Sequence, residues 1–378
     1  DFRRIALYGV DYLKKQKLND WNALQAKTYT EEDIRLREEV STQYRALGKL
    51  IELGKIYGFD ISRPAENAQE AVQWVYLGFL AMVKEDNGAA QGLGRIAEFL
   101  DIYIERDLQE GTLTEKEAQE LIDHLVMKVR IVRQLRTPEY EALFAGDPTW
   151  ATLTFAGMLD DNNSLVTKNT FRFLQTLYNM GNAPEPNMTL MWNEKLPKGF
   201  KDFCAKVSID TSAIQYENDD VMRHYYGSND VSIACCVSPT AGDTGSSIQF
   251  FGARASLPKI LTYAVTGGYD EKNRSKVIDG LEPITDEYLD YDTLMEKIDA
   301  VMDWVATTYV RALNIIHYMH DKYAYEAVQF GLLDTKLHRM MATGIAGIGL
   351  ATDSMSAVKY SKVRIVRDEE GFPVDYVV

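Results

Sequence analysis

Hydrophobic positions in the first part of the chain recur at the period of an α-helix. Apolar residues follow Thr30, mostly at intervals of three or four, as far as Ile51, and Gly58 lies just beyond them. This spacing predicts an amphipathic helix that begins at Thr30 and ends before Gly58. Ala68–Met82 repeats the pattern, and the opening segment Arg3–Lys15 is also predicted to be helical.

A further helix is marked by its start signal. Thr114 and Glu117 have the spacing of a capping box, in which each side chain bonds the backbone amide of the other residue. An apolar stripe follows and stops at Thr137-Pro138, where the proline disfavours helical backbone in the residue before it. We therefore predict that residues 1–149 form a helical region.

Short β-prone runs replace the helical period from Trp150 onwards. Clusters of Gly, Pro, Asn and Asp separate them, and helical spacing returns at Leu165–Tyr178 and Asp292–Tyr325. The predicted strands are Ala151–Phe155, Met188–Trp192, Ala213–Tyr216, Val231–Val237 and Ile248–Phe251. Because strands and helices alternate, residues 150–378 favour an α/β architecture with a parallel sheet over an antiparallel sandwich. No domain boundary stands out within them.

Charge and composition restrict the class of protein. The 378 residues include 41 Lys and Arg against 56 Asp and Glu, a net charge of −15, and no Lys/Arg-rich run. A phosphate backbone is therefore not an expected partner. No apolar stretch reaches the ~18 residues of a membrane span, and the first residues lack the apolar region of a signal peptide. We expect a cytoplasmic protein and, because the chain opens without Met inside a predicted helix, part of a longer one.

Two of the three cysteines are adjacent, at Cys235 and Cys236. Neighbouring Cα atoms lie ~3.8 Å apart, too close for an ordinary disulfide, so reduced thiols are expected. The pair lies in a β-prone run that stops at Pro239, which predicts a buried turn at the end of a strand. In extended backbone the two side chains point to opposite faces and could meet different reaction partners. The alternative is that both pack as small buried hydrophobes.

Other side chains offer less specific chemistry. A cysteine nucleophile of the protease kind needs a histidine, and His224, the nearest in sequence, is predicted to lie in a solvated loop. His317 and His320 share a helix face but lack the further ligands of a metal site. Arg254 follows a strand and two aromatic residues, where its guanidinium could bind a carboxylate in a dry pocket. A surface salt bridge is the commoner role for an arginine.

Several segments together resemble the pyruvate formate-lyase family of glycyl radical enzymes. The adjacent cysteines are the discriminating feature, because relatives that act as diol dehydratases or decarboxylases carry one active-site cysteine. The matching segments are Ile104–Asp107, Glu185–Thr189, Val207–Thr211, Gln215–Asp220, Ala234–Pro239, Gln249–Arg254 and Asn314–Tyr323. The resemblance implies that the chain is part of a ten-stranded α/β barrel, two five-stranded parallel half-sheets packed antiparallel, with the cysteine loop at the centre.

The resemblance also implies a role for each cysteine. Cys236 matches the residue that exchanges hydrogen with the glycyl radical, and Cys235 matches the residue whose thiyl adds to the keto carbon of pyruvate. Homolysis of the C1–C2 bond would leave an acetyl thioester on Cys235 and a formyl radical anion that becomes formate, and coenzyme A would take the acetyl group. Arg254 matches a ligand of the pyruvate carboxylate. The positions implied to line the pocket are Trp150, Phe144, Phe251 and Ala89.

The implied cofactor is the glycyl radical, installed by a radical S-adenosylmethionine activating enzyme, with coenzyme A as co-substrate and no metal or flavin on this chain. A homodimer is also implied. The family's radical glycine lies in an Arg-Val-Ser-Gly-Tyr-like segment, and a second carboxylate-binding arginine lies in a Gly-Arg-Gly-Arg-Ile segment. Neither segment has a match in residues 1–378. We therefore expect the central part of the enzyme, without the glycyl radical domain, and no activity from this chain alone.

Two alternatives stay open. A lyase of the same family acting on 2-oxobutyrate would carry the same residues, and a non-catalytic partial protein would instead bind a separate glycine-bearing subunit. The net charge of −15 repels both pyruvate and coenzyme A, so their binding would have to rest on local cations such as Arg254.

Overall fold

The structure, a computed structural model, describes residues 1–26, 28–86, 90–133, 138–139, 142, 149–235, 238–242 and 247–378, apart from the side chains of Asp86, Phe250 and Phe251. These residues form two compact units. The first unit combines residues 1–248 with 324–339, and the second combines 249–323 with 340–378. Among the described residues, no helix has the length and apolarity that crossing a membrane requires.

The first unit opens with helices. They are α1 (Arg3–Tyr8), α2 (Val10–Ala23), α3 (Glu31–Ile56) and α4 (Ala68–Asp86). The prediction of one helix over Arg3–Lys15 was wrong because Gly9 interrupts it with φ at 73°. A Cβ added to Gly9 would lie 2.4 Å from the carbonyl carbon of Arg63, so the close approach of a second chain segment requires glycine there.

The predicted helix starts are confirmed by their caps. The Thr30 side chain accepts a hydrogen bond from the backbone of Asp33 in a capping box that begins α3. Thr114 and Glu117 form the second capping box, at the start of α6 (Glu115–Ile131), which follows α5 (Ile96–Glu110). Helix α6 ends before the Thr137-Pro138 signal, with Val132 in extended backbone.

A four-stranded parallel sheet lies at the centre of the first unit. Its strands, in spatial order, are β1 (Ala90–Gly94), β2 (Trp150–Ala156), β3 (Asn187–Trp192) and β4 (Ile214–Asn218). Helices α7 (Lys168–Asn179) and α8 (Lys198–Thr211) connect the later strands. The predicted parallel α/β arrangement is therefore confirmed, and the spatial order of the strands follows the chain.

The two faces of this sheet differ in chemistry. Residues that alternate along β2 and β3 with their side chains on one face are fully buried in the hydrophobic core, namely Leu153, Phe155, Met188 and Leu190. The opposite face carries Trp150 and Met191 and is otherwise small or polar, with Gly92, Thr152, Thr154, Asn187, Thr189, Gln215 and Glu217. The sheet therefore packs on helices with one face and presents a polar surface with the other.

An antiparallel hairpin follows this sheet in the chain. After α9 (Asp219–Tyr226), strand β5 (Val231–Ala234) pairs with β6 (Ser238–Ala241). A short helix, α12 (Ala327–Gly331), belongs to the same unit. Its residues Ala327 and Val328 join the hydrophobic core that the sheet and the N-terminal helices share.

The second unit has a core of its own. Its elements are β7 (Ser247–Ser256) and β8 (His338–Ala346), each without its first two residues, together with α10 (Leu257–Thr266), α11 (Tyr291–Tyr323), α13 (Ile348–Tyr360), β9 (Arg364–Arg367) and β10 (Pro373–Val377). Strand β7 pairs with β8, and β9 pairs antiparallel with β10. The core packs α10 on α11 and α13 through residues such as Ile260, Val301 and Val358.

Candidate active site

Cys235 lies at the turn of the hairpin. The register pairs Val231 with Ala241 and Ala234 with Ser238, and Cys235 follows β5 directly as a turn residue. The prediction of a turn at the end of a strand is confirmed for Cys235. The predicted strand was too long, because it ends at Ala234 and Pro239 lies in the returning strand. Cys235 is half-buried rather than buried.

The hairpin rests on the polar face of the sheet. The backbone amide of Ile233 donates a hydrogen bond of 2.8 Å to Thr154 Oγ1 on β2. On β1, a Cβ added to Gly92 would lie 3.3 Å from Ala234 Cβ, tighter than most such contacts. Glycine therefore allows β5 to approach the sheet closely at the residue before Cys235.

The backbone of Cys235 adopts an unusual conformation that the sheet stabilises. Its φ is 55°, in the left-handed region that costs a non-glycine residue about 1–2 kcal/mol. The carbonyl oxygen of Cys235 accepts a hydrogen bond from Thr152 Oγ1 and a second, of 3.4 Å, from Asn187 Nδ2. Since a buried hydrogen bond contributes about 0.5–1.5 kcal/mol, these two contacts can offset that cost.

A buried arginine holds the base of the hairpin. Arg95 is 3% exposed, and its Nε donates to the carbonyl of Val231 at 2.8 Å while Nη1 donates to the carbonyl of Ala156. Arg95 Nη2 lies 3.9 Å from Oδ1 of Asp219, which is fully buried. Burial raises the pKa of Asp219, whereas the charges of Arg95 and Arg223 act in the opposite direction.

Glu98 is a second buried carboxyl group beside this arginine. Its Oε1 accepts a 2.5 Å hydrogen bond from the amide of Ala156, the last residue of β2. Burial raises the pKa of Glu98 to about 7, although the charge of Arg95 acts to lower it. Glu98 therefore keeps its proton in the folded state at pH values where an exposed glutamate has lost it.

Replacing this carboxyl group should change how stability depends on pH. The native state holds the Glu98 proton from the ordinary pKa of 4.5 up to about 7, so the free energy of unfolding falls as pH rises through that window. We expect Glu98→Gln to remove a slope of up to about 1.4 kcal/mol per pH unit, measured by urea unfolding between those pH values. Glu110→Gln, at an exposed position, is the control. Identical pH dependence in the parent and Glu98→Gln would contradict this assignment.

Trp150 begins strand β2 two residues before Thr152, so both side chains project from the face on which the hairpin lies. Trp150 is half-buried there. Its predicted role as a pocket wall is compatible with this position and stays a prediction. Cys236, Phe144 and Ala89 lie outside the described residues, as does the side chain of Phe251.

Arg254 lies on β7, in the second unit, and is exposed. Its predicted contact with a carboxylate stays a prediction. His224 is exposed as expected but lies in α9, so the predicted loop was wrong. Within the part of the chain that the structure describes, no cluster of three or more His, Cys, Asp or Glu residues could hold a metal ion.

Sequence reasoning missed the residues that hold the hairpin. Thr152, Thr154 and Asn187 were not singled out, although the signal is present in the strands themselves. Threonine occupies alternate positions of β2, between Ala151, Leu153 and Phe155. A strand buried on both faces is usually apolar throughout, so this alternation marks one face of the sheet as chemically different.

The whole chain matches one family. A family model described as "PFL-like: Pyruvate formate lyase-like" covers residues 1–378. The chain is 57% identical over 382 residues to formate acetyltransferase 1 of Escherichia coli (strain K12), covering 100% of this chain and 50% of that protein. It is 58% identical over 373 residues to formate acetyltransferase of Haemophilus influenzae, covering 98% of this chain and 48% of that protein. The chain therefore belongs to the pyruvate formate lyase-like family, and it spans about half the length of these curated relatives.

Solved structures show the same fold at low sequence identity. A structure for 1,2-propanediol dehydration in Roseburia inulinivorans has a TM-score of 0.78 and 19% identity, covering 95% of this chain and 50% of that one. A glycyl radical enzyme from Archaeoglobus fulgidus has a TM-score of 0.72 and 18% identity, covering 94% and 51%. The chain therefore has an α/β fold of the glycyl radical enzyme type.

Proposed function

We propose that this chain is the cysteine-bearing part of a formate C-acetyltransferase that converts pyruvate and coenzyme A to formate and acetyl-coenzyme A. The observation that carries the proposal is the placement of Cys235 on a hairpin turn over the polar face of a parallel sheet, in a chain of the pyruvate formate lyase-like family. Membership of the family favours the relay of two thiols over two packed hydrophobes.

In this proposal the two thiols divide the chemistry. Cys236 gives a hydrogen atom to the glycyl radical of the other part of the enzyme and then takes one from Cys235, whose thiyl adds to the keto carbon of pyruvate. The C1–C2 bond breaks homolytically and the acetyl group stays on Cys235 as a thioester. The formyl radical anion takes a hydrogen atom from Cys236 to become formate, which returns the radical to the protein. The thiol of coenzyme A then displaces the Cys235 thiol and carries the acetyl group away.

The same proposal includes the partners that the family implies. We propose a cytoplasmic homodimer that is activated by a radical S-adenosylmethionine enzyme and works in anaerobic carbohydrate metabolism. Phe144, Phe251, Ala89 and Trp150 would shield the reacting thiols, because a radical must be kept from water and oxygen. Arg254 would hold the pyruvate carboxylate against the repulsion of a net charge of −15.

The direct test is the product balance of the full-length, activated protein that contains this chain. Pyruvate and coenzyme A should yield formate and acetyl-coenzyme A in equal amounts, while the chain by itself should yield none. Parallel assays with 2-oxobutyrate decide between the two lyases, because the preferred acid should have the higher kcat/KM. Absence of formate from both acids would contradict the proposal and favour a binding role.

The proposed role of Arg254 makes a separate prediction. Arg254→Lys keeps the positive charge but loses the planar pair of N–H donors that binds a carboxylate in two places. We expect kcat/KM for pyruvate to fall about 10- to 100-fold in the full-length enzyme, a loss of roughly 1.4–2.7 kcal/mol. Arg311→Lys, at an exposed arginine of the same unit, is the matched control. Equal activity in the two variants would remove Arg254 from the site.

A further inference from the structure

Polar side chains from three neighbouring strands form a connected row under the cysteine turn. Glu217 and Gln215 lie on β4, Asn187 on β3 and Thr152 on β2, all on the face that carries the hairpin. Gln215 Nε2 donates to Glu217 Oε1 at 3.0 Å, and Asn187 Nδ2 donates to Gln215 Oε1 at 3.3 Å. Asn187 Nδ2 also donates to the Cys235 carbonyl at 3.4 Å, which Thr152 Oγ1 bonds as well.

The hydrogen-bond acceptors in this row determine which side chain donates to which. A carboxylate oxygen of Glu217 accepts the hydrogen bond at this end of the row, and the NH₂ group of Gln215 donates it. The oxygen of Gln215 is then turned towards Asn187 and requires its NH₂ group in return. The second hydrogen of that NH₂ group is left for the carbonyl oxygen of Cys235.

The last hydrogen bonds of the row are made to the peptide group that joins the two cysteines. The Cys235 carbonyl belongs to the peptide that joins Cys235 to Cys236, and a peptide is planar. Two donors on this oxygen therefore restrict the rotation of that peptide group about the Cα–C bond of Cys235, whose φ is 55°. Thr152 and Asn187 are direct partners in the parallel pairing of β2 and β3, so the sheet holds the two donors next to each other.

We propose that Thr152, Asn187, Gln215 and Glu217 are positioning residues that fix the orientation of the Cys235–Cys236 peptide, and thereby the separation over which the two thiols exchange a hydrogen atom. This inference rests on the proposed function for its kinetic consequence only. The hydrogen bonds that restrain the turn act in the unactivated protein too, so they are open to a test that needs no turnover.

The chain offers a matched pair of substitutions for this test. Thr152→Val removes the hydroxyl that bonds the Cys235 carbonyl and keeps the shape of the side chain. Thr189→Val makes the same change on the same face of the sheet, at a buried hydroxyl that has no hydrogen-bond partner among the described residues. Asn187→Leu removes the second donor, and Glu217→Gln removes the group that sets the direction of the row.

The first readout is thiol reactivity in the unactivated full-length protein. Iodoacetamide labels the cysteines, and mass spectrometry of the peptide that holds both residues gives the rate for each. We expect Thr152→Val and Asn187→Leu to raise the rate at Cys235 about fivefold or more, because the turn opens more often. The labelling rate at Cys235 in Thr189→Val should stay within about twofold of the parent rate. In Glu217→Gln it should rise by between about twofold and about fivefold.

The second readout is the activated enzyme with pyruvate. Thr152→Val and Asn187→Leu should lower kcat about 10- to 100-fold, since small displacements of reacting groups have effects of this size. KM for pyruvate and the glycyl radical signal in electron paramagnetic resonance should stay as in the parent, which loss of the fold would not allow. If Asn187→Leu fails to fold, the kcat of the isosteric variant Thr152→Val tests the inference by itself.

The two readouts separate this inference from the function on which it rests. Labelling rates in Thr152→Val and Asn187→Leu that equal those of Thr189→Val would overturn the inference whatever the protein catalyses. Faster labelling with an unchanged kcat would overturn it too, because the turn would then be restrained without any effect on the reaction. A parent enzyme without pyruvate turnover would refute the proposed function, and the labelling rates would still decide whether these residues hold the turn.

Discussion

Serine in place of Cys235 or Cys236 in the full-length, activated protein should lower pyruvate turnover by more than about 10³-fold. The reason differs between the two positions. In the proposed reaction, Cys235→Ser lacks the sulfur that would form the acetyl thioester, and Cys236→Ser lacks the thiol that would pass hydrogen between the glycine and Cys235. The measurement is formate production from pyruvate and coenzyme A, together with the acetyl content of the protein.

The two serine variants should also fail in distinguishable ways. In Cys236→Ser the radical forms on the glycine but does not reach Cys235, so no acetyl-enzyme should accumulate from pyruvate. Adding acetyl-coenzyme A to the same variant tests transfer onto the remaining thiol separately. Substantial pyruvate cleavage by Cys236→Ser would show that the roles are assigned wrongly, either because Cys235 takes hydrogen directly from the glycine or because the pair is no relay.

Removing the buried guanidinium of Arg95 should have the largest effect on stability. Arg95→Met deletes the hydrogen bonds to the Val231 and Ala156 carbonyls and leaves Asp219 buried with Arg223 as the remaining cation within 4 Å among the described residues. Breaking a buried ion pair on one side typically costs about 3–5 kcal/mol. We expect a loss of that order in the free energy of unfolding, measured by urea denaturation of the full-length protein.

An exposed ion pair provides the control for Arg95→Met. Lys116 and Glu120 lie 3.6 Å apart on the surface of α6, with side chains 86% and 54% exposed. Lys116→Met should change the free energy of unfolding by less than about 1 kcal/mol, as for most surface pairs. A loss of similar size in both variants would contradict the structural role of Arg95 at the base of the hairpin.

Local signals in the sequence predicted much of the fold. Thr30 and Thr114 marked helix starts because a capping box is satisfied by residues three positions apart, and no distant contact is needed. The strands β2, β3 and β4 were found within two residues of their bounds from their apolar and β-branched content. Strand β1 was missed, because its sequence Ala-Gln-Gly-Leu-Gly lacks β-branched and aromatic residues.

The candidate site was predicted less completely, since its geometry depends on distant segments. The adjacent cysteines and the resemblance to a family identified Cys235, and the turn that carries it followed from the local run. The donors Thr152 and Asn187 come from strands that precede the turn by 83 and 48 residues, so only the parallel register brings them to Cys235. Arg95 likewise gave no local signal, because its partners lie 61 and 136 residues away.

An acetyl group on Cys235 can be located by isotope labelling. The full-length, activated protein is mixed with pyruvate labelled with ¹³C in its methyl group, without coenzyme A, and quenched in acid. Peptide fragmentation by mass spectrometry then locates the label. We predict a labelled acetyl group on Cys235, with an equal amount of formate released. Label on Cys236 instead, or formate without any acetylated cysteine, would contradict the account.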